Sequence, residues 1–211
     1  MKKKMIVTML AAGGIALVVN GIELFLKWYA LSPRGSMALQ QASVFFVLPF
    51  VAAVLLVPAA AVLALFPRPR RFAVSMLLAS ILFVGITLAV RAAVDVRARR
   101  FRALAERSEP LVEAIRQYTA DKGEPPDNLE ALVPQYIEKI PGTDMGAYPE
   151  YRYERADSSR QWHGNPWVLY VETPLGILNW DIFLYYPEQN YPEYAFGGSI
   201  ERMRKWAYIH E

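Results

Sequence analysis

Three polar side chains with the spacing of one helical face stand in or beside the first apolar run of the chain, residues 5–26. They are Asn20, Glu23 and Lys27, separated by three and four positions. An ionisable side chain within a bilayer is a functional candidate by default, because burying its charge in hydrocarbon is costly. In the structural alternative, which we favour, Glu23 lies near the interface and pairs with Lys27, while Asn20 bonds to a neighbouring helix.

Arginines crowd the run "RAAVDVRARRFR", residues 91–102, directly after the third apolar run. Several arginines beside a bilayer gain electrostatically from anionic lipid head groups. The lipid head-group candidates are Arg97, Arg99, Arg100 and Arg102. An equally weighted alternative is a solvated helix face with internal ion pairs, such as Asp95 with Arg99.

Aromatic side chains are dense near the C-terminus, with 15 Phe, Trp and Tyr in residues 148–211. A domain this small buries only about 60% of its unfolded surface, so some rings are expected to be exposed. Exposed Trp and Tyr favour a protein partner or a sugar face, whereas ordinary sheet core is the alternative for any one of them. The loops "RQWHGNPW" and "PEQNYPEYAFGG" supply the partner-surface candidates Trp162, His163, Trp167, Tyr191, Tyr194 and Phe196.

Residues suited to catalysis are few. The chain has no Cys, which excludes disulfides, thiolate zinc sites and thiol catalysis, and it has two His, His163 and His210. Neither His has the spacing of a metal-ligand pair or of a nucleophile motif, and proximity of His163 to Ser158 and Asp157 in a polar loop is a weak signal. We therefore predict no catalytic residue, no metal site and no cofactor, and a protein that is not an enzyme.

The charge is divided unevenly along the chain. Residues 1–107 carry 14 Lys and Arg against three Asp and Glu, a net charge of +11, so the remaining residues carry −8 against the total of +3. An acidic domain binds nucleic acid poorly. The charge distribution therefore excludes nucleic acid as the expected partner of the C-terminal part.

Three apolar runs, residues 5–26, 44–66 and 72–90, are each long enough to cross a bilayer. Eight Lys and Arg fall on the side of residues 27–34 and 91–107, but the positive-inside rule is most reliable for short segments, and "MKKK" and "PRPRR" lie on the other side. We therefore predict a multi-pass protein of a bacterial inner membrane, with a membrane domain over residues 1–92, a cytoplasmic N-terminus and a periplasmic C-terminal domain.

The residues after the third run have helical periodicity. Leu104, Leu111 and Ile115 form one stripe, which predicts an amphipathic stalk helix over residues 93–122 that restarts near Pro110 and ends at Gly123. A short helical stretch follows, with Asp127 as the predicted N-cap.

Strand patterns fill the remainder of the predicted head, residues 123–211. The runs "YRYER", "WVLYVE", "WDIFLYY" and "KWAYIH" are aromatic and β-branched and are separated by Pro, Gly and Asn. Consecutive strands with short connections predict a small antiparallel sheet, and a helix beside them predicts an α+β fold.

The segment "AIRQYTADKGEPPDNLEALVPQYIEKIP", followed by "DMGAYPEYRYE", resembles type IV pilins and the pseudopilins of type II secretion. The likeness, over about residues 104–155, is a helix ending in Tyr, an Asp-x-Gly turn, a proline, Leu-Glu-Ala-Leu and a Tyr-x-Tyr strand. It implies a pilin-like head on a stalk, used as a fixed interaction module. The third run, "PRPRRFAVSMLLASILF", lacks the leader glycine and glutamate of pilin-like subunits, and "ETPLGILNWDIFLYY" shows no acidic calcium loop, so neither filament assembly nor calcium binding is implied.

Two functions are consistent with this organisation. The first is a non-enzymatic inner-membrane protein that contacts membrane lipid and presents its periplasmic domain to a protein partner in an envelope or secretion-type assembly. The second is an immunity or inhibitor protein that binds a membrane-acting or periplasm-acting effector.

Overall fold

The structure, a computed structural model, describes residues 2–155, 162–175, 179–195 and 198–210. Its contacts divide the chain into two units. The first, which we call the membrane unit, comprises Met1–Trp28 and Ala42–Val96. The second, which we call the head, comprises Tyr29–Gln41 and Arg97–Glu211.

The membrane unit is helical. Its helices are α1 (Lys2–Ala30), the end of α2 (Met37–Val44), α3 (Val47–Leu63) and α4 (Arg70–Ala93). Three helical stretches among the described residues, containing α1, α3 and α4 in turn, are long and apolar enough to cross a membrane, in agreement with the three predicted runs. Pro58 lies inside α3, a position that membrane helices tolerate because neighbouring groups can satisfy the backbone carbonyl that proline leaves free.

Helices α1 and α4 run in the same direction. Asn20 hydrogen-bonds to Thr87, 67 positions later, and Glu23 pairs with Arg91, 68 positions later. Ala16 and Phe83 also share one buried cluster, with Ala53 of α3. The difference in residue number between contacting residues therefore stays at 67 or 68 along both helices. The two helices are thus parallel, and their N-terminal ends lie on the same side of the membrane unit.

The segment between α1 and α2 belongs to the head. The Ala147 N–H donates to the Ala30 carbonyl at 3.2 Å, and the Gly146 N–H donates to the Ser32 carbonyl at 2.8 Å. Leu31 is fully buried. The predicted membrane domain, residues 1–92, included this segment, and the structure differs because these backbone hydrogen bonds join it to residues more than 100 positions later.

Two helices stand where one stalk helix was predicted. Helix α5 (Val96–Arg107) is separated from α4 by a break at residues 94–95, and α6 (Glu109–Lys122) restarts at Pro110, as expected. Gly123, in the left-handed region at φ 80°, ends α6 and donates to the Thr119 carbonyl, which confirms the predicted stop. Contacts assign α5 and α6 to the same unit as the sheet, so they form no separate stalk.

A short 3-10 helix, Leu129–Leu132, follows α6. Its N-cap is Asn128, whose Oδ1 accepts from the Ala131 N–H at 3.0 Å, so the predicted cap Asp127 is wrong by one position. Asp127 instead pairs with Arg155. Leu129 and Leu132 are buried, which fixes this turn against the rest of the head.

The head contains one antiparallel sheet in the order β1-β2-β3-β6-β5-β4. Five strands have four to six residues and the edge strand β4 has two: β1 (Arg152–Arg155), β2 (Trp167–Glu172), β3 (Ile182–Tyr185), β4 (Tyr194–Ala195), β5 (Gly198–Met203) and β6 (Trp206–His210). The α+β class is therefore confirmed. The four predicted strands are present, whereas β4 and β5 were not predicted.

Both faces of the sheet are covered. On one face Phe183 stacks on Phe101 of α5 and on Trp206, with ring centroids 5.0 Å apart in each pair. On the other face, Leu184 and Tyr186 join a cluster of buried side chains that includes Trp162, Val168 and Ile209. The period of two in "WDIFLYY" predicts that Trp180, Ile182, Leu184 and Tyr186 share one face of the strand. This alternation is confirmed from Ile182 to Tyr186, but Trp180 is 76% exposed.

Candidate functional site

The predicted intramembrane polar residues meet residues of α4. Asn20 is 3% exposed, and its Nδ2 donates to the Ala16 carbonyl at 2.7 Å and to the Thr87 hydroxyl at 2.9 Å. Asn20 is therefore satisfied by its own helix and by a neighbour. This is the arrangement expected in the structural alternative.

Glu23 is held by two cations. Its carboxylate accepts from Lys27 Nζ at 2.6 Å and lies 3.4 Å from an Arg91 nitrogen through both oxygens. The Arg91 guanidinium also lies over the Phe50 ring, 5.1 Å from its centroid. Because Glu23 is only 5% exposed, pairing offsets the desolvation of its charge. These contacts join α1 to α4. They favour the structural alternative for Glu23 over a functional role.

Sequence reasoning did not connect Arg91 with Glu23, because Arg91 was read as the first residue of the arginine run 91–102. Glu23 lies near the C-terminal end of the first apolar run and Arg91 at the C-terminal end of the third. Two spans that cross in the same direction place such residues at similar depth. That depth match is the signal that identifies the pair.

Arg97 is the centre of a buried polar cluster in the head, which we call the Arg97 cluster. Its guanidinium donates to the Tyr148 hydroxyl at 2.7 Å, the Thr173 carbonyl at 2.9 Å and the Tyr208 hydroxyl at 3.0 Å. It also forms an ion pair with Asp181 at 3.4 Å, and Tyr208 donates to the same carboxylate. One side chain of α5 thus binds three separate parts of the sheet region.

The surroundings of Arg97 are aromatic. Its guanidinium carbon lies 5.1 to 5.6 Å from the ring centroids of Phe101, Tyr208 and Tyr148. Burial raises the pKa of Tyr208, an effect that the Arg97 charge opposes and the Asp181 carboxylate reinforces. Burial likewise raises the pKa of Tyr148 against the effect of Arg97. Both phenols are therefore neutral donors and acceptors at physiological pH, which suits a structural network.

These contacts correct the prediction that Arg97 binds lipid head groups. Its side chain is 12% exposed and its hydrogen bonds go to the head. The other three candidates lie on the same helix, where Arg99 and Arg102 are exposed and Arg100 is half-buried. Lipid binding by Arg99, Arg100 and Arg102 therefore stays a prediction.

Two of the predicted partner-surface residues are core. Trp162 is 4% exposed and Trp167 is 3% exposed. The Trp162 indole donates to Glu154 at 2.7 Å, and the Trp167 ring stacks on Tyr185 with centroids 5.6 Å apart. The prediction for these two residues is wrong because Trp162 packs into the cluster of buried side chains that contains Leu184. Trp167 packs across the β2–β3 pair, a contact that the sequence does not reveal.

The other four candidates have different environments. His163 is exposed, with a positive φ of 54°. Tyr191 is half-buried: its ring stacks on Tyr186 at 4.8 Å, and its hydroxyl donates to the Lys205 carbonyl at 2.7 Å. Tyr194 lies in β4, with its side chain outside the described residues, and Phe196 lies outside them entirely.

Trp180, which the strand pattern placed on the same face as Leu184, lies at the surface of the head. Its exposed fraction of 76% compares with 38% for Val133, the other exposed large apolar side chain among the described residues of the head. Asn179 Oδ1 accepts from the N–H groups of Leu175 and Asp181 at 3.0 and 3.1 Å. The backbone on both sides of Trp180 is thus fixed, with Asp181 bound to the Arg97 cluster. The signal in the sequence is the polar pair Asn179 and Asp181 around a single Trp.

One hydroxyl and one imidazole meet in the sheet. The Ser199 hydroxyl lies 3.0 Å from His210 Nε2, and the two residues are paired across β5 and β6. Among the described residues no carboxylate hydrogen-bonds to His210, so the pair lacks the third group that orients a catalytic base. Within the same residues no cluster of three or more His, Cys, Asp or Glu has the geometry to hold a metal ion.

Comparisons with protein-family models, with curated proteins and with solved structures gave no match to the chain.

Proposed function

We propose that this chain is a non-enzymatic membrane protein that presents its α+β head to a protein partner in a bacterial envelope assembly. The observation that carries the proposal is Trp180, a large apolar side chain exposed on a fixed backbone. Tryptophan is enriched among the residues that dominate protein interfaces, and a backbone that is already held by hydrogen bonds loses little entropy on binding.

The buried polar groups of the head support a binding role over a catalytic one. Arg97, Asp181 and Tyr208 are each used in hydrogen bonds that join α5 to the sheet. Catalytic groups are by contrast placed where a substrate reaches them, with a pKa matched to proton transfer. The raised pKa of Tyr208 moves it further from that range.

We further propose that the head is pilin-like, and the order of its elements supports this. A helix that ends at Gly123 is followed by a short helical turn and by an antiparallel sheet that packs against α5. The membrane unit supports anchoring, because it supplies three helices apolar enough to span a bilayer. We place the head in the periplasm on the basis of the basic segments "MKKK" and "PRPRR".

Site-specific photo-crosslinking in intact cells tests the partner surface. A photoreactive phenylalanine analogue at position 180 is compared with the same analogue at Glu138, an exposed position of the head that offers no apolar anchor. We expect a discrete protein adduct from position 180 and none from position 138. Mass spectrometry of the adduct then identifies the partner class.

The outcomes separate the functions. An envelope-assembly subunit in the adduct supports the proposal, and an adduct that forms only when a toxic effector is supplied supports the immunity function instead. A phospholipid adduct assigns Trp180 to a bilayer surface and removes the observation that carries the proposal. Equal labelling at both positions, or none at position 180, contradicts a specific partner surface.

A further inference from the structure

An open cleft of about 780 Å³ lies between the N-terminal ends of α1 and α4, within the membrane unit. Its cationic lining residues are Lys4, Arg70 and Arg71, and its apolar lining residues are Met5, Phe72 and Val74. The volume lies in the range of about 300–1,000 Å³ that is usual for ligand sites. The cleft follows the parallel arrangement of the two helices, since Lys4 and Arg71 are separated by the same 67 positions as Asn20 and Thr87.

None of the three cations that line the cleft forms an ion pair with a carboxylate among the described residues. Glu23 is the only acidic residue between Met1 and Val94, and it is paired with Lys27 and Arg91. Along α1, Glu23 is 19 positions from Lys4, or roughly 28 Å at the rise of a helix. Asp95, the other acidic residue of the membrane unit, follows the C-terminal end of α4, 24 positions from Arg71. The cations at the cleft therefore have no acidic neighbour within the membrane unit.

The first turn of α4 adds to the attraction for an anion. Pro69 precedes the helix and provides no side-chain cap, and the first turn contains no acidic residue. The amide groups of this turn therefore carry the partial positive charge of the helix N-terminus beside Arg70 and Arg71.

We infer that the cleft binds an anionic phospholipid of the bilayer, with its phosphate between Lys4 and the two arginines and an acyl chain against Phe72 and Val74. Arginine pairs with phosphate through two parallel hydrogen bonds, and basic pockets between membrane helices suit anionic head groups. Phe72 is 66% exposed, as expected of a side chain that faces lipid. A zwitterionic lipid fits less well, because its cationic group meets three like charges.

Native mass spectrometry of the full chain in mild detergent measures this binding. The protein is titrated with phosphatidylglycerol and, separately, with phosphatidylcholine of the same acyl chains. We expect phosphatidylglycerol to bind at least about tenfold more tightly. In the double variant R70Q/R71Q we expect its affinity to fall roughly thirtyfold, since each cation near an anionic head group contributes about a fivefold gain.

A matched control separates a built site from diffuse surface charge. K3Q/R68Q removes two exposed cations from the same end of the membrane unit that do not line the cleft, and we expect it to bind within about threefold of the wild type. Val74→Trp keeps every charge and fills the apolar part of the cleft, and we expect a loss of phosphatidylglycerol binding here too. This second variant keeps the test informative if R70Q/R71Q does not fold.

Three results would overturn the inference. Equal losses in R70Q/R71Q and K3Q/R68Q would show non-specific attraction, and equal binding of the two lipids would remove the role of charge. Displacement of phosphatidylglycerol by inorganic phosphate at similar concentration would show a phosphate site that does not use the acyl chain.

Discussion

At the scale of single residues, Arg97 links α5 to the sheet. Its partners Tyr148, Asp181 and Tyr208 lie 51, 84 and 111 positions later. A sequence shows that an arginine is present near the end of an apolar run, which is why lipid binding was predicted. It does not show that three distant polar groups and three rings surround the guanidinium.

Replacing Arg97 should destabilise the head strongly. Arg97→Met leaves the buried Asp181 without its cation, and the loss of one partner from a buried pair costs about 3–5 kcal/mol. Arg99→Met, at an exposed position two residues later, should change the free energy of unfolding by under about 0.5 kcal/mol. Denaturation of the full chain in mild detergent, followed by tryptophan fluorescence, compares the two. Equal effects would show that the Arg97 cluster is not a stabilising contact.

The head should be more stable with phenylalanine in place of Tyr186. Its hydroxyl is buried and has no hydrogen-bond partner among the described residues, so Tyr186→Phe should raise the free energy of unfolding by about 1 kcal/mol. Tyr191→Phe is the control, because the Tyr191 hydroxyl accepts from the Tyr186 N–H at 2.8 Å and donates to the Lys205 carbonyl. We expect that substitution to destabilise the head. If both substitutions changed the free energy of unfolding in the same direction, the distinction between an unpaired Tyr186 hydroxyl and a paired Tyr191 hydroxyl would be wrong.

The same residue gives a pH dependence. Burial raises the pKa of Tyr186 to about 12 from its ordinary value of 10.0. Between these values the unfolded chain loses a proton that the folded head keeps, so stability is fully present below pH 10 and falls as the pH rises towards 12. Urea melts over this range should show a smaller fall for Tyr186→Phe than for the wild type.

At the scale of elements, periodicity identified the structure wherever one side of an element is buried. Strand β3 was found because it is a continuous run of apolar and aromatic residues, as expected of a strand that is covered on both faces. Strand β5, "GSIERM", was missed because most of its side chains are exposed or half-buried, which leaves no apolar pattern. The break between α4 and α5 was missed because apolar spacing continues across residues 94–95.

The contact of the segment 29–41 with the loop before β1 depends on two glycines. A Cβ on Gly146 would lie 2.2 Å from the Gly35 carbonyl oxygen, a backbone atom that cannot move aside independently. Gly146→Ala should therefore cost about 1–3 kcal/mol, the usual range for overpacking. Gly142→Ala is the matched control, because the nearest atom to its Cβ would be 3.9 Å away, and it should be neutral or stabilising by about 0.4–1 kcal/mol. Thermal melts of the full chain measure both, and an undisturbed Gly146→Ala protein would contradict this contact.

At the scale of the whole molecule, sequence indicated the membrane part and the α+β class, but not the division between units. Composition changes at the end of the third apolar run, so the predicted boundary was placed there. The residues 29–41 lie between two apolar runs and read as a connecting loop. Their contacts assign them to the head, including the hydrogen bonds of Ala30 and Ser32 to residues 146–147.

The orientation of the chain is open to direct measurement. If the N-terminus is cytoplasmic, as the basic segments "MKKK" and "PRPRR" predict, three spans would place the C-terminus outside the cytoplasm. The parallel α1 and α4 fit three spans, since α3 returns the chain between them. Alkaline phosphatase fused after Glu211 should therefore be active. A fusion that is stable but inactive would reverse the orientation and with it the periplasmic role of the head.

The pairing of Glu23 also has a consequence for the order in which the protein is made. Arg91 is synthesised 68 residues after Glu23, and at about 5–20 residues per second this interval lasts roughly 3–14 s. Lys27, four residues from Glu23 on the same helix, leaves the ribosome within about a second of it. Helix α1 thus carries a counter-ion for its own carboxylate while it enters the bilayer. Arg91 later adds the contact between α1 and α4.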